Sequence, residues 1–353
     1  MKITAFFAIC AVLAVMPLLY PDPYTLSVVG AAGIMIIAAK SLNLLLGYTG
    51  QLSLGHAAFF GIGAYTSALL SLGFDVYLGF GWTLVVDPKP VWLAFAMAIV
   101  VAALAGWVIG RLSFKVRGAY FVIVTISFAQ VMRLVALNWV DLTEGPMALS
   151  AIPPLTFWVP GEGVTNITSK LGIYWLVLSV GIVCYCVIAG FVHSRVGRAA
   201  IALRENETLA RSIGIRVTHY LVLTTLLSAG MAGAAGALYS HTVRIIDPDV
   251  FMFIYTITMV IMVVAGGKGT LAGPVLGGII FGLLPEALRG VVPPEIQWIL
   301  YGALMVVILL FLPKGLVPAF ASLWTRVFGN KDPAAGKTKG SGQTFQTSRQ
   351  EQA

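Results

Sequence analysis

VWLAFAMAIVVAALAGWVIGR, residues 91–111, decides the fold: apolar or small residues run unbroken as far as Arg111. At 1.5 Å per residue, a helix of about 20 residues measures about 30 Å, the thickness of a bilayer's hydrocarbon core. In water such a helix would expose apolar side chains on every side, so a bilayer or a thick protein shell must surround it. Similar runs recur at 3–20, 24–46, 55–73, 118–138, 172–192, 219–240, 251–266, 271–290 and 296–312. Together they predict an all-α, polytopic transmembrane helical bundle of about ten spans. The runs are continuous and do not alternate, which excludes a transmembrane β-barrel. Composition agrees. Of 353 residues 59% are hydrophobic and 10% charged, against about 25% charged in soluble domains. That deficit excludes an ordinary soluble enzyme and a disordered chain. The first run follows Lys2 and resembles a signal peptide, but it is long for one and has no clear Ala-x-Ala site, so it reads as a helix.

The chain holds 22 Lys and Arg against 14 Asp and Glu, a formal charge of +8. The basic residues form no compact surface, so nucleic acid is not a partner. Their placement orients the bundle. With Lys2 on the cytoplasmic side and every run crossing, Lys89, Lys170, Arg244 and Arg289 fall outside, and Lys40 and Arg133 fall within spans. The remaining sixteen of the 22 fall inside. Basic residues hold cytoplasmic loops, so both termini are placed in the cytoplasm. Residues 1–317 read as the transmembrane domain. Residues 318–353 form a cytoplasmic polar tail, rich in Lys, Gly, Ser and Gln from about 329, with too little apolar surface to order itself. Cys10, Cys184 and Cys186 lie in apolar runs and give neither a disulfide framework nor metal-ligand spacing. No nucleophile–base pair appears, so no catalytic residue, metal or cofactor is expected.

Loop 193–218, HSRVGRAAIALRENETLARSIGIRVT, carries five arginines and two glutamates in a chain otherwise poor in charge. Ala199 to Ile213 are good helix formers, and Glu207 and Arg211 stand at i,i+4 in the favourable order. Gly214 is placed to end the helix left-handed. A single helix across the cytoplasmic mouth is predicted, with Arg204, Thr208 and Arg211 on one face and Leu209 and Ile213 on another. A solvated connector is the plainer alternative.

These motifs carry a resemblance. SLNLLLGYTGQLSLGHAAFFGIGAY at 41–65, GRAAIALRENETLARSIGI at 197–215, SAGMAGAAGALYSH at 228–241, MVVAGGKGTLAGPVLGG at 262–278 and LPEALR at 284–289 follow one another in order. The chain resembles the LivM-type permease subunit of the branched-chain amino acid ABC importers. The resemblance implies an importer in the bacterial cytoplasmic (inner) membrane. A second, shorter permease, two ATP-binding subunits and a periplasmic substrate-binding protein would be its partners. It also implies that 197–215 is the coupling helix, with Arg198, Arg204, Glu205, Glu207 and Arg211 meeting the ATPase and Gly214 setting the angle. Similar relatives carry urea, amides or aromatic acids. Two departures touch ligand identity. The family commonly has Leu-Thr-Gly-Gly where this chain has Leu142-Thr143-Glu144-Gly145, and a glutamate where it has Gln130. A stand-alone ion-coupled secondary transporter is the runner-up, and it leaves the helical loop unexplained.

An amino acid needs polar groups along its path, which broken helices supply through free backbone groups. Gly47–Gly55 suits such a break, with Gln51, Ser53 and His56 able to line it and Asn43 just before it. An ordinary tight turn is the alternative. Residues 266–274 match it at an offset of 219. Within GGKGT, Lys268 is followed by Gly269, so the P-loop pattern fails and ATP belongs on another chain. Ser127, Gln130 and Arg133 share a helical face. Arg133 and Glu286 lie at similar outer depth and are expected to lie near one another, although both could snorkel to headgroups. Lys40 is expected to snorkel.

Overall fold

The computed structural model describes residues 17, 22–77, 83–114, 119–159, 163–289, 292–320 and 322. The expected first span (apart from Pro17), Lys115, Arg117 and the tail beyond 322 lie outside the described residues. Nine apolar helices coincide with the other nine runs. The first, α1 (Pro23–Asn43), starts where the Asp22 carboxylate accepts the Thr25 N–H at 3.0 Å. It continues as a π-helix, Leu44–Thr49, that ends at left-handed Gly50. Next come α2 (Ala57–Leu72), α3 (Val91–Ser113), α4 (Ala119–Asn138) and a one-turn α5 (Val140–Thr143). The long α6 (Lys170–His193) is capped by Ser169, whose hydroxyl accepts the Gly172 N–H. The arginine-rich segment forms α7 (Arg195–Glu205) and α8 (Glu207–Ser212). Four helices close the bundle: α9 (Val217–Val243), α10 (Phe253–Gly266), α11 (Gly273–Leu288) and α12 (Pro294–Phe311).

Among the described residues five helices are long and apolar enough to cross a membrane: Pro23–Thr49, Val91–Ser113, Tyr120–Asn138, Lys170–His193 and Val217–Val243. Helices α2, α10 and α11 have 16, 14 and 16 residues, or about 21–24 Å each. The deficit has a cause. These three flank residues 50–56 and 267–272, where non-helical backbone, left-handed at Gly50 and Gly269, replaces helix.

Two short antiparallel hairpins qualify the all-α expectation, Phe74–Tyr77 with Thr83–Val86 and Thr156–Val159 with Gly163–Asn166. Both lie outside the bundle. The loop from 139 also holds α5 and a 3-10 turn, Gly145–Met147. Glu144, one of the departures from the LivM-type pattern, sits there at φ +57, a conformation glycine adopts without penalty.

Helix α9 is the axis of the bundle and packs on α1, α2 and α3. Its small-residue run makes that possible. A β carbon on Gly233 would strike Ala102 of α3, and one on Gly63 of α2 would strike the Gly233 backbone. Helices lacking side chains at the crossing gain dispersion contact, the main attraction available between helices in lipid. The connections gather at two ends. At one, the π-helix, α7 and the 267–272 turn meet. At the other, Leu149 pairs with Ile246, the Arg244 guanidinium donates to Ile152 O at 3.0 Å, and His241 Nδ1 lies 2.8 Å from Pro153 O.

Candidate functional site

The two glycine-rich segments meet face to face at the arginine-rich end. Asn43, 2% exposed at the end of α1, bridges them: its Nδ2 donates to Thr270 O and its Oδ1 accepts the Gly269 N–H, both at 2.9 Å. A β carbon on Gly47 would run into Gly269 backbone, so only glycine permits this approach. Gly50 and Gly269, matched by the offset of 219, both hold a left-handed backbone, at φ +74 and +73. The matching conformation strengthens the case for a repeat at these turns.

Arg204 closes the junction. Its Nη1 donates to Gly47 O at 2.7 Å, and the same guanidinium pairs with Glu205. A β carbon on Gly50 would lie 3.2 Å from Arg204 Cγ. Here the structure corrects the sequence reading. The expected single helix 197–215 is two helices, because Asn206 leaves helical geometry and its Oδ1 caps α8 by accepting the Leu209 N–H at 2.9 Å. Arg204 therefore does not share a face with Thr208 and Arg211. It turns back into its own chain. Glu207 and Arg211 do pair at i,i+4, 3.2 Å apart, and Gly214 does turn left-handed, at φ +89. Arg198 donates to His193 O at 2.7 Å and braces the α6–α7 corner. Leu209 and Ile213 stand 61% and 70% exposed, two apolar knobs on a charged segment.

Deeper in the bundle, residues 50–56 are unwound and His56 precedes α2. His56 Nε2 lies 2.8 Å from Ser41 Oγ, which itself donates to Ala38 O, so the imidazole nitrogen is the donor of that pair. Ser228 donates to Ser41 O at 2.6 Å. Ser228 is about 16 Å along α9 from Val217, which places the cluster near the middle of that 27-residue helix. Thr125 accepts the Leu54 N–H and Thr256 accepts the Ala57 N–H, serving backbone groups that the break leaves unpaired. Residues 50–56 are thus non-helical backbone held by side chains of neighbouring helices. Gln51 is half-buried; Ser53 and His56 are packed inside protein, at 1% and 0% exposure. Ser53 Oγ and His56 Nδ1 have no hydrogen-bond partner among the described residues.

At the hairpin end Ser127 and Gln130 are exposed and Arg133 is half-buried on the same face of α4. Arg133 does not meet Glu286. Its Nη2 pairs with Asp249 at 2.8 Å, in the 3-10 turn Pro248–Phe251, whereas Glu286 pairs with Arg289 at 3.4 Å. Equal depth did not bring them together because α4 packs on the 248–251 turn and α11 packs on α1 and α10. The signal that could have found Asp249 is the Asp-Pro-Asp at 247–249 in the short loop between α9 and α10.

Glu286 opens instead onto a cavity of about 620 Å³ floored by Met35, Met262 and Phe281, with Tyr24, Thr258 and Gln297 on its walls. Pro285 lies inside α11 and lacks the N–H that Phe281 O would accept; the Tyr301 hydroxyl of α12 donates to that carbonyl in its place. Lys40 does not snorkel: it is 4% exposed, with its ammonium 4.1 Å from the Tyr185 ring centroid.

Helices long and apolar enough to cross a membrane, joined at glycine turns that Arg204 clamps, fit a membrane transport protein. Residues 24–309 match the family of the branched-chain amino acid transport system permease component, and the chain belongs to that family. The high-affinity branched-chain amino acid transport system permease protein LivM of Salmonella typhimurium is 30% identical over 303 residues, 81% of this chain and 68% of that protein. LivH of Escherichia coli K12 is 29% identical over 292 residues, 80% and 90% of the two chains. BraD of Pseudomonas aeruginosa is 26% identical over 290 residues, 80% and 90% of the two chains. No solved structure matches.

Proposed function

We propose that this chain is the permease subunit of an ATP-driven importer for branched-chain or related hydrophobic amino acids, in the bacterial inner membrane. It crosses about ten times with both termini in the cytoplasm, and residues 1–317 form the permease domain ahead of the polar tail 318–353. It pairs with a second permease, two ATP-binding subunits and a periplasmic binding protein. One observation carries the reading: Arg204 of α7 holds the Gly47 carbonyl at the point where Gly47 and Gly269 touch. Movement of the α7–α8 segment therefore reaches both broken helices through one rigid contact. Leu209 and Ile213 are the surface an ATPase would grip, since exposed apolar knobs among charges suit burial in a partner. Arg198, Glu205, Glu207, Arg211 and Gly214 shape that surface. Asn43, Gln51, Ser53, His56, Ser127, Gln130, Arg133 and Glu286 remain candidates for the path. Ser53 and His56 are buried here, so a path through them opens only when the helices around them move.

The test is copurification and uptake. Leu209→Asp with Ile213→Asp should strip the ATPase subunits from the complex and abolish ATP-linked uptake of labelled leucine. Membrane insertion should survive. Unchanged uptake, or uptake driven by an ion gradient without any ATPase, refutes the proposal. Labelled urea, amides and aromatic acids in the same assay separate the substrate classes.

A further inference from the structure

A cleft of about 780 Å³ lies where the arginine-rich end of α3 meets the start of α9. Three guanidiniums line it, from Arg111, Arg211 and Arg216, together with His219 and the apolar Trp107 and Leu223. Arg211 is matched by Glu207. Arg111 and Arg216 have no carboxylate within 4 Å among the described residues. The Arg111 guanidinium lies 5.4 Å from the Trp107 ring centroid, which holds it at the cleft's rim. The space beside Gly214 is open, with no atom within 4 Å of the position a β carbon would take.

The occupant follows from where the cleft opens. Trp107 belongs to a stripe of α3 with Leu104, Val108 and Leu112, exposed by 54%, 45% and 55%. In a membrane permease such a stripe faces acyl chains. Tryptophan and arginine at the end of the stripe mark the depth of the headgroups. The cleft thus has a wall for a lipid tail and unmatched positive charge for a phosphate at the height where a phosphodiester sits. Basic pockets between helices on the cytoplasmic side bind anionic headgroups on these terms. The surface proposed for the ATPase, Leu209 and Ile213, lies on the neighbouring helix α8 and at its C-terminal cap.

We propose that this cleft binds one anionic phospholipid of the cytoplasmic leaflet, its phosphate held by Arg111 and Arg216 and one acyl chain lying along Trp107. The leaflet rests on the orientation given under Proposed function; the cleft and its charge do not.

The experiment uses the assembled transporter, delipidated in neutral detergent and mixed with phosphatidylglycerol or phosphatidylcholine, with retained lipid counted by native mass spectrometry. Two variants are compared with wild type. Arg111→Gln with Arg216→Gln removes both unmatched charges. Thr218→Glu puts a carboxylate into the cleft from the exposed first turn of α9, where a negative charge favours the helix. Each lost charge weakens anionic-lipid binding about five-fold, so the double variant should retain phosphatidylglycerol roughly thirty-fold more weakly. Thr218→Glu should lose it too, and neither variant should change phosphatidylcholine or ATPase content. Inorganic phosphate should displace none of it. Equal retention of phosphatidylglycerol in all three proteins overturns the proposal. So does a loss of ATPase subunits from either variant, which would assign the cleft to the ATPase. Labelling Ser212→Cys with a membrane-impermeant thiol reagent in inverted and right-side-out vesicles reads the orientation separately.

Discussion

Replacing Asn43 with alanine tests the junction directly. The side chain makes two hydrogen bonds to backbone across more than 220 residues of sequence, to Thr270 O and from Gly269 N. Alanine leaves both backbone groups without a partner, and each buried orphan costs about 1–3 kcal/mol. Gly269 and Thr270 are themselves only half-buried, so water recovers part of the loss. The expected destabilisation is then at the low end, about 2–3 kcal/mol for the pair of bonds. Reversible unfolding of the purified chain in mixed micelles measures it. Asn43 and Arg204 hold opposite sides of the same Gly47–Gly269 contact, so the double variant Asn43→Ala/Arg204→Ala should depart from additivity by more than about 0.5 kcal/mol. A loss below about 0.5 kcal/mol for Asn43→Ala, or strict additivity in the double variant, would refute the idea that one joint holds both turns.

Arg204→Ala should keep ATP hydrolysis by the complex while lowering uptake at least ten-fold, read as the ratio of leucine imported to ATP consumed; an unchanged ratio contradicts the coupling role. Tyr301→Phe should destabilise by about 1–3 kcal/mol, because Phe281 O loses the donor that replaces the missing Pro285 N–H. Adding Pro285→Ala to that variant restores a helical N–H to the carbonyl and should recover most of the loss; no recovery would show that the hydroxyl serves another purpose. Asp249→Asn breaks a pair whose partners are 25% and 53% exposed. It should cost less than about 1 kcal/mol at low salt and nothing measurable in 1 M salt, by unfolding at the two ionic strengths.

Different parts of the molecule were legible in the sequence to different degrees. Nine helices were readable from hydropathy alone, because a side chain facing lipid must be apolar wherever it stands. The turn at Gly214 and the Glu207–Arg211 pair were readable because both depend on neighbours within four residues. The split at Asn206 was written locally as well: a capping residue followed by Glu207 and a helical stretch. The continuous pattern of helix formers on either side masked it. Glycines at 47–55 and 266–274 announced irregular backbone without saying what they would touch.

Sequence by itself determined the solvent this chain requires and where its apolar helices stop, since both follow from the composition of short windows; the stop at Asn206 lay outside that reading. Tertiary structure decided which stops meet. Arg204 reaches Gly47 across the fold, Arg133 finds Asp249 instead of Glu286, and Lys40 is buried against Tyr185 instead of rising to the surface. Each choice depends on which helices are neighbours, and that is set by small residues such as Gly63 and Gly233 that let particular pairs approach. A hydropathy profile assigns every residue a depth along the bundle axis; it carries no angle around that axis, and the angle selects the partner.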